Sequence, residues 1–359
     1  YDREHVTTFL RGNKDLLELN IKNEQDLSKM RLTVDEGEDL EVVRNIFNYF
    51  SPNILFGLNE IVELQKVRPD LFLINNKFHR NQGENMNKGT KLWKRAKRVI
   101  PGGNMLFSKR PEMFLPEFWP TYYSKAEGCN IWDLDKNKYK DLSLMGVGTN
   151  ILGYSNPLVD EAVRKTISNG NMSTLNCPEE VYLSEKLVEI HPWANMVRLA
   201  RSGGEANSIG IRIARAATGK DKVAICGYHG WHDWYLSSNL QDKNNLSEHL
   251  NPGLETNGVP KALEGTVFTF NYNNFAELEK LTDEHDLGVI KMEVQRNFLP
   301  EDNFLQKVRD LATKKGIVLI FDECTSGFRE TYGGLHKKFG VEPDMAMFGK
   351  AMGNGYGIT

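Results

Sequence analysis

The stretch IVLIFDECTSGFR at residues 317–329 is followed at residues 347–357 by MFGKAMGNGYG. Residues 317–321 form a continuous apolar run, β-branched at its start, which predicts a strand buried on both faces. The run ends on Asp322 and Glu323. A carboxylate at the carboxyl end of such a strand sits where open α/β sheets place their ligand crevice, so Asp322 is expected to meet a ligand. Lys350 closes a second short apolar run, residues 345–348, and is followed by Gly353, Gly355 and Gly357. A lysine at the end of a buried strand, entering a glycine-rich turn, is a candidate Schiff-base former, because desolvation lowers its pKa and frees the amine.

An acid and a lysine so placed suggest pyridoxal phosphate chemistry, in which the lysine holds the aldehyde and the acid keeps the pyridine nitrogen protonated. A structural ion pair is the competing reading of the same two residues, and the rest of the chain has to decide between them.

Working outward, 359 residues correspond to about two to three domains. The content of 40% hydrophobic and 26% charged residues is that of an ordinary globular protein. A net charge of −3 gives no electrostatic reason to expect nucleic acid. Cys129, Cys177, Cys226 and Cys324 show no CxxC pair, so neither a disulfide framework nor a zinc site is indicated, and a cytoplasmic location is the default. No apolar stretch approaches the ~18 residues of a membrane-spanning helix. The chain opens at Tyr1 without Met and stops at Thr359 in a glycine-rich run, so it reads as a fragment of a longer protein.

Residues 1–77 form one compositional block, with a short strand expected at 31–35, an amphipathic helix at 39–50 presenting Leu40, Val43, Ile46 and Phe47, and a second helix at 58–67. Residues 75–89 (NNKFHRNQGENMNKG) are polar and aperiodic and read as a linker, giving domains at 1–77 and 91–359 joined by 78–90. A basic helix, KLWKRAKRVI at 91–100, is stopped by Pro101, and its cations read as a solvated face. NIWDLDKNKYKDL at 130–142 reads as a hairpin. Its Asp133, Asp135 and Asn137 have the spacing of a calcium loop, but Lys138 and Leu144 stand where that loop needs Gly and Glu, so calcium is rejected. Farther on, strands are expected at 196–200, 223–226 and 288–292 and helices at 205–217, 275–281 and 303–314, with Gly219 and Gly316 closing two of them. Such alternation implies a mainly parallel sheet of the α/β class.

Ser202, Gly203 and Gly204 join a strand to the helix opening at Glu205, so backbone amides and the helix N-terminus make a candidate phosphate cradle; a plain tight turn is the alternative. In CGYHGWHDW (226–234), Tyr228 could stack on a flat ring. His229, His232 and Asp233 raise a metal site, which the absence of a spaced fourth ligand argues against in favour of structural histidines. Glu293 ends a strand at the presumed carboxyl edge, as an acid/base group, a cofactor neighbour or a salt bridge. Lys109 and Arg110 could bind a substrate carboxylate, with a surface role as the alternative.

Taken together, SGGEANSIGIRIARAATGKDKVAICGYHGWHDW, KMEV, FDECTSGFR and FGKAMGNGY resemble the class III, fold-type I pyridoxal phosphate aminotransferases, in the branch of glutamate-1-semialdehyde aminomutase. The resemblance runs from about Lys91 to the end. It implies that Lys350 forms the Schiff base and moves the proton, and that Asp322 pairs with the pyridinium nitrogen. Ser202, Gly203 and Gly204 would bind the phosphate, Tyr228 would cover the ring, and His229 and Glu293 would neighbour the cofactor. The family usually carries Thr where this chain has Gly204. A homodimer is implied, with a C-terminal part beyond Thr359 that supplies a phosphate contact to the partner subunit.

The N-terminal DREHVTTFLR and DLSKMRLTVDEGEDLEVVRNIF resemble the C-terminal end of spore-coat and surface-polysaccharide cytidylyltransferases, which makes the first block a partial nucleotidyltransferase-like segment. The favoured reading is transfer of an amino group from a small-molecule donor to a carbonyl acceptor, with a keto-sugar suggested by the fusion. Aminomutase-type intramolecular transfer is the alternative, disfavoured because its substrate motif is not reproduced in residues 104–110. A sugar cytidylyltransferase carrying the second module as a scaffold is a reading of another class. A non-catalytic binding module is a further one, against which the presence of Lys350 counts.

Overall fold

The computed structural model describes residues 25–27, 30–34, 36–77, 87–116, 118–142, 145–170, 173–249 and 255–359. Two compact units are present, Tyr1–Val99 and Ile100–Thr359. The N-terminal motif at residues 2–11 lies outside the described residues.

In the first unit, helix α1 (Gly37–Phe50) buries Asp39, Val42 and Ile46, while helix α2 (Leu58–Val67) has the predicted bounds. Leu40 and Phe47, expected on the buried face of α1, are exposed. The face is turned by Asp39, whose carboxylate accepts Arg31 Nε at 2.8 Å, Arg31 Nη2 at 2.7 Å and Asn75 Nδ2 at 3.0 Å. Burying that paired acid rotates Val42 inward in place of Val43 and leaves Leu40 outside. The strand expected at 31–35 does not form over 31–34, where the Arg31 carbonyl is instead taken by Asn75 Nδ2 at 3.2 Å. Asn75 is thus a buried anchor of this unit rather than the first linker residue. Helix α3 (Lys88–Val99) buries Trp93 and Ala96, and its Lys94 pairs with Glu36 at 3.2 Å.

The second unit opens with a small antiparallel sheet, β1 (Tyr123–Glu127), β2 (Asn130–Asp133) and β3 (Lys138–Lys140) in that order. Strands β2 and β3 are the predicted hairpin. Asp133 organises its turn, accepting the amides of Asp135 and Asn137 at 2.9 Å each, Asn137 Nδ2 at 3.0 Å and the Tyr139 hydroxyl at 3.1 Å. Helices α4 (Pro157–Asn169) and α5 (Pro178–Ile190) follow, each with proline at its start. The strand expected at 196–200 is absent as a ladder. Ala200 exchanges one reciprocal pair of backbone bonds with Thr359, at 2.7 and 2.9 Å, which is too little pairing for a strand.

The main sheet is all parallel. Its strands are β4 (Lys222–Cys226), β5 (Val267–Thr269), β6 (Leu287–Glu293), β7 (Val318–Asp322) and β8 (Met345–Met347), in the order β5-β4-β6-β7-β8. Three helices alternate with them: α6 (Gly203–Thr218), α7 (Phe275–Glu284) and α8 (Phe304–Lys315). Strand alternation sorts the side chains into two cores. Ala224, Ile290, Met292, Leu319 and Phe321 pack with Leu278, Val308 and Leu311 on one face. Val223, Ile225, Val289, Ile320 and Met347 pack with Ala206, Ile211 and Ala214 of α6 on the other. Coverage on both faces explains why the strands read as unbroken apolar runs. From β4 the chain grows first toward β5 and then, through β6, toward β8. The carboxyl ends of β4 and β6 therefore flank a topological switch point, where open α/β sheets bind ligands.

Candidate functional site

Because the strands are parallel, their carboxyl ends share one edge, and two of them, β6 and β7, end on carboxylates. Register places Glu293 of β6 beside Asp322 of β7, and Asp322 beside Met347 of β8. Strand β4 runs out into Gly227, Tyr228 and His229. Strand β8 leads through Phe348 and Gly349 to Lys350, whose φ of +45° lies in the left-handed region that L residues avoid. A non-glycine residue held there stores strain of roughly 1–3 kcal/mol, a feature that clusters at functional sites.

Asp322 is buried. Its Oδ2 accepts His229 Nδ1 at 2.9 Å and lies 3.4 Å from Lys291 Nζ, while its Oδ1 accepts the Cys324 amide at 3.1 Å. Burial alone would raise its pKa, but the Lys291 charge, the His229 bond and the Cys324 amide together hold the carboxyl well below the usual range. An ionised carboxylate only accepts, so Nδ1 of His229 carries the proton. Burial pushes the His229 imidazole down to about 4, with Lys291 adding to the shift and Asp322 opposing it. Asn207 of α6 fixes the loop by donating Nδ2 to the His229 carbonyl at 3.1 Å.

Lys350 donates Nζ to Thr325 Oγ1 at 2.8 Å. Burial lowers its pKa, against the charges of Asp322 and Glu293, which favour the ammonium. Glu293 accepts the Tyr228 amide at 3.1 Å and Arg296 Nη1 at 3.5 Å, and burial raises its carboxyl above the usual range despite both. The Tyr228 side chain stays partly exposed at this edge and meets Tyr235 edge-on, with ring centroids 6.3 Å apart.

The expected cradle forms at the start of α6. Ser202 is the N-cap, its Oγ accepting the Glu205 amide at 3.3 Å, and Gly203 and Gly204 open the first turn, whose N–H groups have no carbonyl partner within the helix. A side chain at Gly203 would reach Cys324 Sγ at 3.5 Å, which places the cradle beside the Asp322 strand end. A side chain at Gly204 would come within 3.1 Å of His232 Nε2. The imidazole thus occupies the space a larger residue would fill, and it is held there by a 2.6 Å contact between Nδ1 and Ser208 Oγ.

His229 and His232 turn to different partners, Asp322 and Ser208, and among the described residues no group of His, Cys, Asp and Glu is arranged to hold a metal ion. Arg110 lies on the Phe107 ring, 4.8 Å from its centroid, and Lys109 is exposed. Three neighbours of the site escaped the sequence reading: Lys291, His232 as a side chain in the cradle, and Thr325. Lys291 had a signal, as a lysine set inside the apolar run GVIKMEV (288–294). Thr325 and His232 had none, because their proximity depends on how loops fold back.

The sequence pattern of the class-III aminotransferases matches residues 116–359. A 3-aminobutyryl-CoA aminotransferase of Cloacimonas acidaminovorans is 36% identical over 280 residues, covering 75% of this chain and 62% of that protein. A glutamate-1-semialdehyde 2,1-aminomutase of Nitratidesulfovibrio vulgaris is 34% identical over 276 residues, covering 75% of this chain and 63% of the relative. Among solved structures, an omega-transaminase from Sphaerobacter thermophilus superposes with a TM-score of 0.67 at 29% identity, over 77% of this chain and 64% of that one. A transaminase with PLP bound gives 0.66 at 27% identity, over 76% and 63%. The chain spans a little under two thirds of the length of the curated relatives it matches.

Proposed function

This chain belongs to the class-III aminotransferase family, whose fold-type I enzymes use pyridoxal phosphate, and we propose that it moves an amino group from a small-molecule donor to a carbonyl acceptor. The observation that carries this reading is the meeting, on one sheet edge, of the buried anionic Asp322 with Lys350 and the α6 cradle.

Three features support the fit of the cofactor. The cradle presents first-turn amides to a phosphate. Asp322 is held ionised, as a partner for a pyridinium N–H must be. Lys350 is an amine whose burial favours the neutral, nucleophilic form. When bound, pyridoxal phosphate supplies an aldehyde for that amine and a ring that accepts the electrons released at the substrate carbon. With the cofactor bound, Lys350 Nζ would be the base that takes the proton from the substrate carbon bearing the amino group and hands it to the cofactor side of the same nitrogen, with Thr325 Oγ1 accepting from the amine between transfers. Asp322 Oδ1 accepts the Cys324 amide, and a carboxylate oxygen has a further lone pair for the ring N–H. Glu293 fixes the backbone of Tyr228, whose ring would cover the face of the cofactor. Lys109 and Arg110 remain candidates for a substrate carboxylate.

In the purified chain incubated with pyridoxal phosphate and freed of excess cofactor, Lys350→Ala is expected to abolish the visible band that belongs to the lysine-linked cofactor and its fixation to the chain by borohydride. Persistence of both would sink the assignment. Intramolecular, aminomutase-type transfer is the second reading, favoured by the 34% identity to an aminomutase. The resemblance of residues 1–77 to cytidylyltransferases suggests a keto-sugar acceptor, with a homodimer as the working unit. A screen of keto-acids and keto-sugars with the aminated cofactor separates these acceptors, and turnover of CTP in the same screen would favour the nucleotidyltransferase reading.

A further inference from the structure

A lysine stands in the core behind Asp322. Lys291 lies on β6 in register with Ile320 of β7, and its side chain is fully buried. Strand alternation puts it on the same face as Val289, whose neighbours Ile211, Ala214 and Ile320 make an apolar wall under α6. Among the described residues its Nζ comes no closer to an anion than 3.4 Å from Asp322 Oδ2 and makes no hydrogen bond. Burying an ammonium costs several kcal/mol unless close partners repay it, and one long contact repays little.

The charges around Asp322 show what this ammonium does. In the chain alone, among the described residues Lys291 is the one lysine within salt-bridge distance of Asp322, while Lys350 and Glu293 act on that carboxylate at longer range and with opposite signs. His229 donates through Nδ1 to the oxygen that Lys291 approaches, and the Cys324 amide bonds the other. With His229 neutral, these two donors carry no net charge. A protonated ring nitrogen brought to Asp322 would be a second cation close to one carboxylate, beside a lysine and an acid that are both buried.

We propose that Lys291 competes with the ring nitrogen of the bound cofactor for Asp322, so that the nitrogen holds its proton less firmly and the cofactor is bound less tightly than a carboxylate without this neighbour would allow. This rests on the cofactor reading above. Lys291 touches neither the reacting atoms nor the substrate; it is a positioning residue that acts through Asp322. Two like charges sharing one carboxylate in a medium of intermediate dielectric shift such an equilibrium by roughly 10- to 100-fold.

The test loads the full chain with pyridoxal phosphate carrying ¹⁵N in the ring. Lys291→Met keeps the length and apolar stem while removing the charge, and Lys291→Gln serves as a second neutral variant should Met disturb the fold. The neutral variants are expected to bind cofactor about tenfold or more tightly by equilibrium dialysis, and to move the ring ¹⁵N resonance toward its protonated position at the same pH. Lys291→Arg, which keeps the charge, is expected to leave the resonance where the wild type has it. Equal affinity and an unmoved resonance in both neutral variants, or weaker binding in both, would overturn the role of Lys291 while leaving the cofactor reading intact. Failure of the wild-type chain to bind the cofactor at all would overturn both.

Discussion

At the scale of single residues, Glu293 shows how charge and hydrogen bonding are separable at this edge. Its Oε2 accepts the Tyr228 amide at 3.1 Å and sits 3.5 Å from Arg296, while its charge favours the ammonium of Lys350. Glu293→Gln keeps an acceptor for the amide and removes the charge. Glu293→Ala removes both and leaves the partly buried Tyr228 N–H without this partner, which costs at most about 1–3 kcal/mol. The Ala variant is therefore expected to lose up to that much in a urea titration and the Gln variant clearly less. Both are expected to shift Lys350 further toward its neutral form, read as faster modification by a small amine reagent at neutral pH. Equal urea midpoints for the two would mean that the Tyr228 bond does not hold the loop.

Element by element, legibility followed burial. The strand ending on Asp322 could be read because both faces of β7 are covered and its residues are apolar throughout. Helices α6 and α8 could be read because glycine closes each in the left-handed conformation, at Gly219 and Gly316. The face of α1 was misread because a buried acid, clamped by Arg31 and Asn75 from outside the helix, outweighs the apolar stripe. The strand expected at 196–200 failed for a different reason, since a strand is defined by its partner and pairing is a tertiary property. In the candidate site, the carboxylates at strand ends and the Ser-Gly-Gly turn were visible locally. The Lys291 contact was not, because Lys291 and Asp322 are 31 residues apart on neighbouring strands, and only the pairing of those strands, which sets Lys291 beside Ile320 and Glu293 beside Asp322, brings them together. How closely α6 approaches β8 depends on Gly210, where an added Cβ would stand 2.0 Å from the terminal methyl of Met347. The end of a methionine can move, so Gly210→Ala is expected to be mild. Gly210→Leu overfills the same contact and is expected to cost about 1–3 kcal/mol in the urea midpoint and to loosen the turn at Lys350. Wild-type stability in the Leu variant would show that α6 does not need this approach.

Across the molecule, the buried histidines tie the candidate site to global stability. His191, His229 and His249 lie in the unit Ile100–Thr359, and burial lowers the pKa of each, His229 to about 4. Below the ordinary histidine pKa of 6.5 the unfolded chain takes up protons that the folded chain refuses, so falling pH favours unfolding. The stability that His229 contributes is complete above pH 6.5 and is lost as the pH falls to about 4, amounting to about 3 kcal/mol over that window. His191 and His249 add losses of the same sign. Asp322 follows at lower pH, because its depressed pKa gives stability that is present above the ordinary carboxylate range and disappears as the pH falls through the folded value. The urea midpoint of this unit, followed by near-ultraviolet circular dichroism, is therefore expected to fall steadily from pH 7 to pH 4.5, with the fall already under way above pH 5.5, where ordinary carboxylates are still ionised. His229→Gln should start less stable at pH 7, since the bond to Asp322 is altered, yet decline with a shallower slope. A midpoint flat between pH 6.5 and 4.5 in the wild type would show that His229 is not held neutral, and would remove the basis for counting Asp322 and Lys291 as the charges that a cofactor meets.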